Sequence, residues 1–220
     1  MESLIFLYLY IVNAIIMMIN FFLKPHDNYG RVKFVYFITK FLIMPLLAAY
    51  YCLESEKTSY GVIAYTILHW FGDMVLFFNY KFSLLVGGIS FTIGHITLSG
   101  AFPVNWSHFP IIALFLALPF IAYQQYKIFE FVDVKKPISI CMFIYCCVLD
   151  YCLIRTAARI DQYGFTNIHF LLGYIGYAIF MLSDFILILT MWGKIKRLCR
   201  IEILGTYIIA QLMLIIAVMH

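Results

Sequence analysis

Long apolar stretches alternate with short polar breaks along the whole chain. Eight of them can be bounded, at residues 4–23, 34–52, 60–78, 82–102, 109–123, 137–154, 169–191 and 201–218. A helix rising about 1.5 Å per residue needs roughly 20 such residues to cross a hydrocarbon core about 30 Å thick. The runs are too long and continuous for buried strands, and barrel strands would show weak alternation over about 10 residues each. The pattern therefore predicts an all-α integral membrane protein, a single bundle of eight transmembrane helices formed by residues 1–220 as one domain. The fifth run is the shortest, with Trp106 and Tyr123 as flanking interfacial anchors. The first run has Glu2 where a signal peptide carries positive charge, and no small-residue cleavage site precedes Lys24. It is expected to be a retained helix.

Composition narrows the class further. Only 12% of residues are charged, against about 25% in soluble domains, while 65% are hydrophobic and the mean hydropathy is +0.95. A secreted domain, a disordered tail and a nucleic-acid binder are excluded. Of the basic residues, Lys24, Arg31, Lys33, Lys81, Lys127, Lys135, Lys136, Lys194, Lys196, Arg197 and Arg200 fall in the odd-numbered connections. Lys57, Arg155 and Arg159 fall in the even-numbered ones. The positive-inside rule then places the odd connections in the cytoplasm and both termini on the other side of the membrane. The net charge of +4 reads as topology and contact with anionic lipid. The cysteines carry no metal spacing: Cys141, Cys146, Cys147 and Cys152 share one run, and Cys52 and Cys199 lie near opposite faces. They are expected to be small apolar fillers.

Charge at bilayer depth costs at least about 2.5 kcal/mol, so each ionisable residue inside a run is a candidate for function. Counted from the cytoplasmic end of its run, Lys40 lies about 9 Å deep, Asp73 about 8 Å, Asp184 about 10 Å and Tyr207 about 9 Å. Four polar groups on four helices thus converge on one layer. Asp150 and His95 lie deeper, each about 20 Å from that end. Asp150 is expected to pair with Arg155 or to serve an interfacial role. His95 shares a helical face with Gly87 and Phe91. His69 stands one turn before Asp73 and can hold that carboxylate. Asn13 and Asn20 form a stripe on the first helix that ties helices together.

The chemistry of such a layer is acid–base chemistry. A carboxylic acid shielded from water can keep its proton and act as a general acid, while one beside Lys40 is held ionised. Two aspartates with different neighbours suffice for hydrolysis without a metal. The histidines form no HxxxH or HExxH pair and no GxSxG elbow occurs, so no metal, cofactor or serine nucleophile is expected. The plainer alternative is that Lys40 and an aspartate form a salt bridge that only fixes helix packing.

Several stretches resemble one family in order. Thr39-Lys40-Phe41 through Pro45-Leu46-Leu47 resembles the second-helix signature of the YhhN-like lysoplasmalogenase family, and Phe71-Gly72-Asp73 its third-helix Gly-Asp motif. Gly87, Phe91 and His95 match its fourth-helix spacing, with Ser99 at the following position. Gly173 through Leu182-Ser183-Asp184 resembles its seventh-helix Ser-Asp motif, and Tyr207 through Ala210-Gln211 its closing motif. The resemblance implies an eight-helix membrane hydrolase that cleaves the vinyl ether bond of lysoplasmalogens to a fatty aldehyde and glycerophosphocholine or glycerophosphoethanolamine. It implies Asp73 and Asp184 as the catalytic pair. Lys40, His95, Tyr207, Gln211, His69, Ser183 and Asn13 are the supporting candidates. The expected partner is a single-chain lysophospholipid entering from the cytoplasmic leaflet, with no nucleic acid.

Three other classes stay open. A proton-coupled or lipid transporter would also place Lys and Asp inside the membrane, although no inverted repeat or matched pair of broken helices is visible. A zinc-dependent lipid hydrolase would lose activity to a chelator. A structural or signalling membrane protein would neither transport nor hydrolyse.

Overall fold

The structure, a computed structural model, describes residues 2–23, 30–78, 82–105, 111–131, 137–191 and 199–219. Among them the chain forms eight α-helices and no strand: α1 (Glu2–Leu23), α2 (Gly30–Glu54), α3 (Tyr60–Phe78), α4 (Ser83–Gly100), α5 (Ile111–Phe131), α6 (Pro137–Tyr163), α7 (Ile168–Met191) and α8 (Cys199–Ala217). Six carry stretches long and apolar enough to cross a membrane: Glu2–Asn20, Phe34–Glu54, Tyr60–Phe78, Ser83–Gly100, Ile138–Tyr163 and Ile168–Thr190. The apolar part of α8, Glu202–Ala217, is shorter. The chain is a multi-pass membrane protein. Trp106, Lys24, Lys81, Lys135, Lys136, Lys194, Lys196 and Arg197, on which the anchor and orientation arguments drew, lie outside the described residues.

Two helices run further than the hydropathy breaks predict. α5 continues past Tyr123 to Phe131, and α6 continues past Ile154 to Tyr163. Polar residues lower hydropathy without breaking a helix: Gln124, Gln125 and Lys127 on α5, and Arg155 and Arg159 on α6, are all good helix formers. What ends α6 is backbone chemistry. Gly164 takes φ +82, a left-handed conformation that costs glycine little, and its N–H donates to the Ile160 carbonyl at 2.8 Å. Arg155 and Arg159 therefore belong to a helix, not to a connection.

Apart from α4 and α5, successive helices pair, and the pairings close: α1 packs on α2, α2 on α3, α3 on α4, α4 on α6, α6 on α7, α7 on α8 and α8 on α1. Seven helices thus make a ring, with α5 packed outside it against α6. The polarity of the ring is that of a membrane protein. Asn13, Thr39, His69, Asp73, His95, Ser183 and Gln211 are buried, while Ile5, Ile15, Ile19, Ile89, Ile93 and Ile96 are exposed.

Small residues decide how closely the helices approach. On the α3–α4 seam a Cβ on Gly72 would stand 2.8 Å from the Phe91 ring, one on Gly87 2.9 Å from Leu76, and one on Gly94 2.8 Å from the His69 ring. These glycines are the notches into which neighbouring side chains fit. In α2, Pro45 has no N–H to donate to the Phe41 carbonyl four residues back. The Trp70 indole N–H of α3 donates to that carbonyl instead, at 3.1 Å, and its ring meets Phe41 edge-on. A proline that would otherwise leave an unpaired carbonyl in lipid becomes a link between α2 and α3.

Candidate active site

The layer anticipated from depth is assembled inside the ring, close to the end where α3 and α7 finish and α2 and α8 begin. Lys40 Nζ of α2 lies 3.2 Å from Asp73 Oδ1 of α3, with the two side chains 16% and 7% exposed. The Tyr207 hydroxyl of α8 donates to the other oxygen, Asp73 Oδ2, at 2.7 Å. Asp73 therefore has one oxygen on an ammonium and the other on a phenol.

Asp184, on α7, has different company. The Tyr145 hydroxyl of α6 donates to its Oδ2, and among the described residues no cation forms an ion pair with it. Phe180, one turn before Asp184, packs its ring 5.8 Å from that of Tyr207, so an aromatic contact links the two halves of the layer.

Beneath the carboxyl groups lies a second layer. The Tyr65 hydroxyl donates to Gln211 Oε1 at 2.6 Å, and Gln211 Nε2 donates to His69 Nδ1 at 3.0 Å. With Nδ1 accepting, the ring proton of His69 sits on Nε2, which has no partner among the described residues. His95 meets His69 edge-on at a centroid separation of 4.7 Å, and among the described residues neither of its ring nitrogens has a hydrogen-bond partner. Aromatic rings surround the pair: Phe180 is 4.5 Å from His95, while Phe91 is 4.8 Å and Tyr65 4.1 Å from His69. His69 thus turns toward Gln211, not toward the carboxylate of Asp73 that its spacing suggested.

The remaining candidates tie helices together. Asn13 Nδ2 donates to the Thr39 carbonyl at 2.7 Å, which fastens α1 to α2 beside Lys40. The Ser183 hydroxyl donates to the Ile203 carbonyl at 2.9 Å and fastens α7 to α8 beside Asp184. Asp150 stands apart, and its expected pairing with Arg155 is not formed. Gln125 of α5 donates to Asp150 Oδ2, whereas Arg155 gives its Nε–H to the Phe102 carbonyl and an Nη1–H to the Tyr151 hydroxyl. The expectation failed because residues five apart on a helix point in directions roughly 140° apart, too far for a short carboxylate to turn back.

Tyr145 and Tyr65, which hydrogen-bond to Asp184 and Gln211, belong to the candidate site and were not among the residues expected from the sequence. Tyr145 lies eight residues into α6, about 12 Å along it, close to the depth of the carboxyl layer. Depth arithmetic extended to tyrosines would have found it. The described residues contain no group of three or more His, Cys, Asp or Glu placed to share a metal ion.

A multi-pass α-helical membrane protein whose helices enclose two carboxyl groups in different hydrogen-bonded settings is the class that fold and site define. The sequence model of the YhhN family matches residues 35–218, and the chain belongs to that family. The match includes Lys40, Asp73, His95, Asp184, Tyr207 and Gln211 and leaves out Asn13. The comparison with curated proteins gives no match, and neither does the comparison with solved structures.

Proposed function

We propose that this protein is a membrane lysoplasmalogenase, an ether hydrolase that cleaves the vinyl ether bond of a single-chain lysophospholipid without a metal ion. The observation that carries the reading is the asymmetry of the two aspartates. Asp73 is held between the Lys40 ammonium and the Tyr207 hydroxyl, and among the described residues Asp184 receives only the Tyr145 hydroxyl. Membership of the YhhN family supports the same reading.

Vinyl ether hydrolysis needs a proton delivered to carbon and a negative charge beside the cation that results. In this scheme Asp184 donates its proton to the carbon beta to the ether oxygen. The oxocarbenium ion forms next to the Asp73 carboxylate, which stabilises it and takes a proton from the attacking water. The hemiacetal then returns its hydroxyl proton to Asp184 while Asp73 protonates the departing glycerol oxygen. Aldehyde and alcohol leave, and both carboxyl groups regain their starting states. Lys40 holds its ammonium against the Asp73 carboxylate. Gln211, His69 and His95 form the floor under the reacting atoms.

The same proposal includes eight transmembrane helices in one domain, with α5 and α8 completing the six longer spans. The termini lie on the non-cytoplasmic side, and the alkenyl chain stays in the cytoplasmic leaflet while the head group meets the basic connections. The test is incubation of the purified protein with a lysoplasmalogen and, separately, its saturated ether and its ester analogue, followed by aldehyde detection. Release from the vinyl ether alone, lost in Asp73→Asn and in Asp184→Asn and insensitive to chelator, is the expected result. Gradient-driven solute uptake without aldehyde release would favour a transporter instead.

A further inference from the structure

The far end of the ring holds positive charge that the proposed chemistry does not use. Arg155 and Arg159 sit one turn apart near the end of α6, close to the start of α7 and the end of α4. Arg155 is fastened by the Phe102 carbonyl and the Tyr151 hydroxyl, each at 2.8 Å. Arg159 is only 4% exposed, and its guanidinium carbon lies 4.2 Å from the Phe170 ring centroid and 5.1 Å from that of Phe102. Both rings offer it their negative faces. Yet among the described residues its buried Nε and Nη1 have no hydrogen-bond partner, and no carboxylate pairs with either arginine.

Both side chains are guanidinium cations, each a planar fork of N–H donors. Two like charges one turn apart repel, and a buried donor without an acceptor is costly. Aromatic faces soften the charge without satisfying the N–H groups. An anion would do both, and a planar guanidinium suits phosphoryl oxygens better than it suits a spherical ion. The location selects the source of the anion: at the end of a helix that crosses the membrane, head-group phosphates are the abundant oxyanions.

We propose that Arg155 and Arg159, walled by Phe102 and Phe170, form a binding site for a phosphate group at the membrane face opposite the aspartate layer. A phospholipid head group of that leaflet and free inorganic phosphate share this chemistry, and the test separates them. The site is independent of the hydrolase reading.

The experiment is a titration of the purified full-length protein in a neutral detergent, followed by native mass spectrometry and thermal unfolding. The probes are dioctanoyl phosphatidylglycerol, dioctanoylglycerol, which has the same chains without the phosphate, and inorganic phosphate. Phosphatidylglycerol is expected to give a saturable one-to-one adduct and to raise the unfolding temperature, while dioctanoylglycerol does neither. If inorganic phosphate matches phosphatidylglycerol, the ligand is the free ion; if it does not, the ligand is the lipid head group. Arg159→Met is expected to weaken phosphatidylglycerol binding about tenfold or more and to unfold at a higher temperature than the wild type without ligand, because an uncompensated buried charge is gone. Wild-type protein that prefers phosphatidylglycerol no more than dioctanoylglycerol overturns the site, whatever the variant does. An Arg159→Met variant that binds as tightly as wild type also overturns it.

Discussion

Replacing Lys40 by Met removes the ammonium from Asp73 and leaves the length of the side chain nearly unchanged. At the observed 3.2 Å separation and an effective dielectric constant of about 20, the attraction being removed is about 5 kcal/mol. Part of that is offset because Lys40 no longer has to be kept from water, so a net loss of about 3 to 5 kcal/mol is expected, as for other broken buried pairs. Asp73→Asn alone strands the ammonium and is destabilising for the same reason. The double variant Lys40→Met/Asp73→Asn leaves neither charge unpaired and is expected within about 1 kcal/mol of wild type. The measurement is reversible unfolding in mixed micelles titrated with sodium dodecyl sulfate, with aldehyde release assayed on the same four proteins. Stability is expected to recover in the double variant and activity is not, because the proposed scheme needs the Asp73 carboxylate beside the cation. A coupling energy below about 0.5 kcal/mol would show that the pair does not form. A double variant with wild-type aldehyde release would reduce Lys40 and Asp73 to a packing contact.

Four further outcomes follow from single contacts. Tyr145→Phe keeps the ring and deletes the donor on Asp184, so kcat for aldehyde release should fall about 10- to 100-fold, the cost of one charge-assisted hydrogen bond; an unchanged kcat counts against its role. Gly94→Ala puts a methyl group 2.8 Å from the His69 ring and should destabilise the protein by about 1 to 3 kcal/mol in the micelle titration, whereas Gly88→Ala, with nothing within 4 Å, should not. Trp70→Phe leaves the Phe41 carbonyl beside Pro45 unpaired and should cost about 1 kcal/mol in the same titration. Asp150→Asn retains an acceptor for Gln125 on the outer side of α6 and should leave aldehyde release unchanged; loss of activity in a folded variant would bring Asp150 into the chemistry.

Depth was legible in the sequence because a membrane makes it nearly one-dimensional. Counting residues from the end of an apolar run put Lys40, Asp73, Asp184 and Tyr207 on one level, and three of the four meet directly around the Asp73 carboxyl group. The same counting failed at the ends of α5 and α6, where Gln124, Gln125, Arg155 and Arg159 lower hydropathy while the helical backbone continues to Phe131 and Tyr163. Hydropathy reports transfer out of water, whereas a helix ends where its backbone finds a cap, here at Gly164.

Rotation about each helix axis is the quantity that hydropathy leaves open. The apolar runs and the scarcity of charge determined that the chain lives in a membrane and how far along its helix each ionisable group lies. Only the tertiary structure decided that Asp150 turns to Gln125 rather than Arg155, that His69 turns to Gln211, and that Tyr145 turns to Asp184. Those directions depend on which helices are neighbours and how closely they approach, which contacts between residues distant in the chain set, as the notches at Gly72, Gly87 and Gly94 do on the α3–α4 seam.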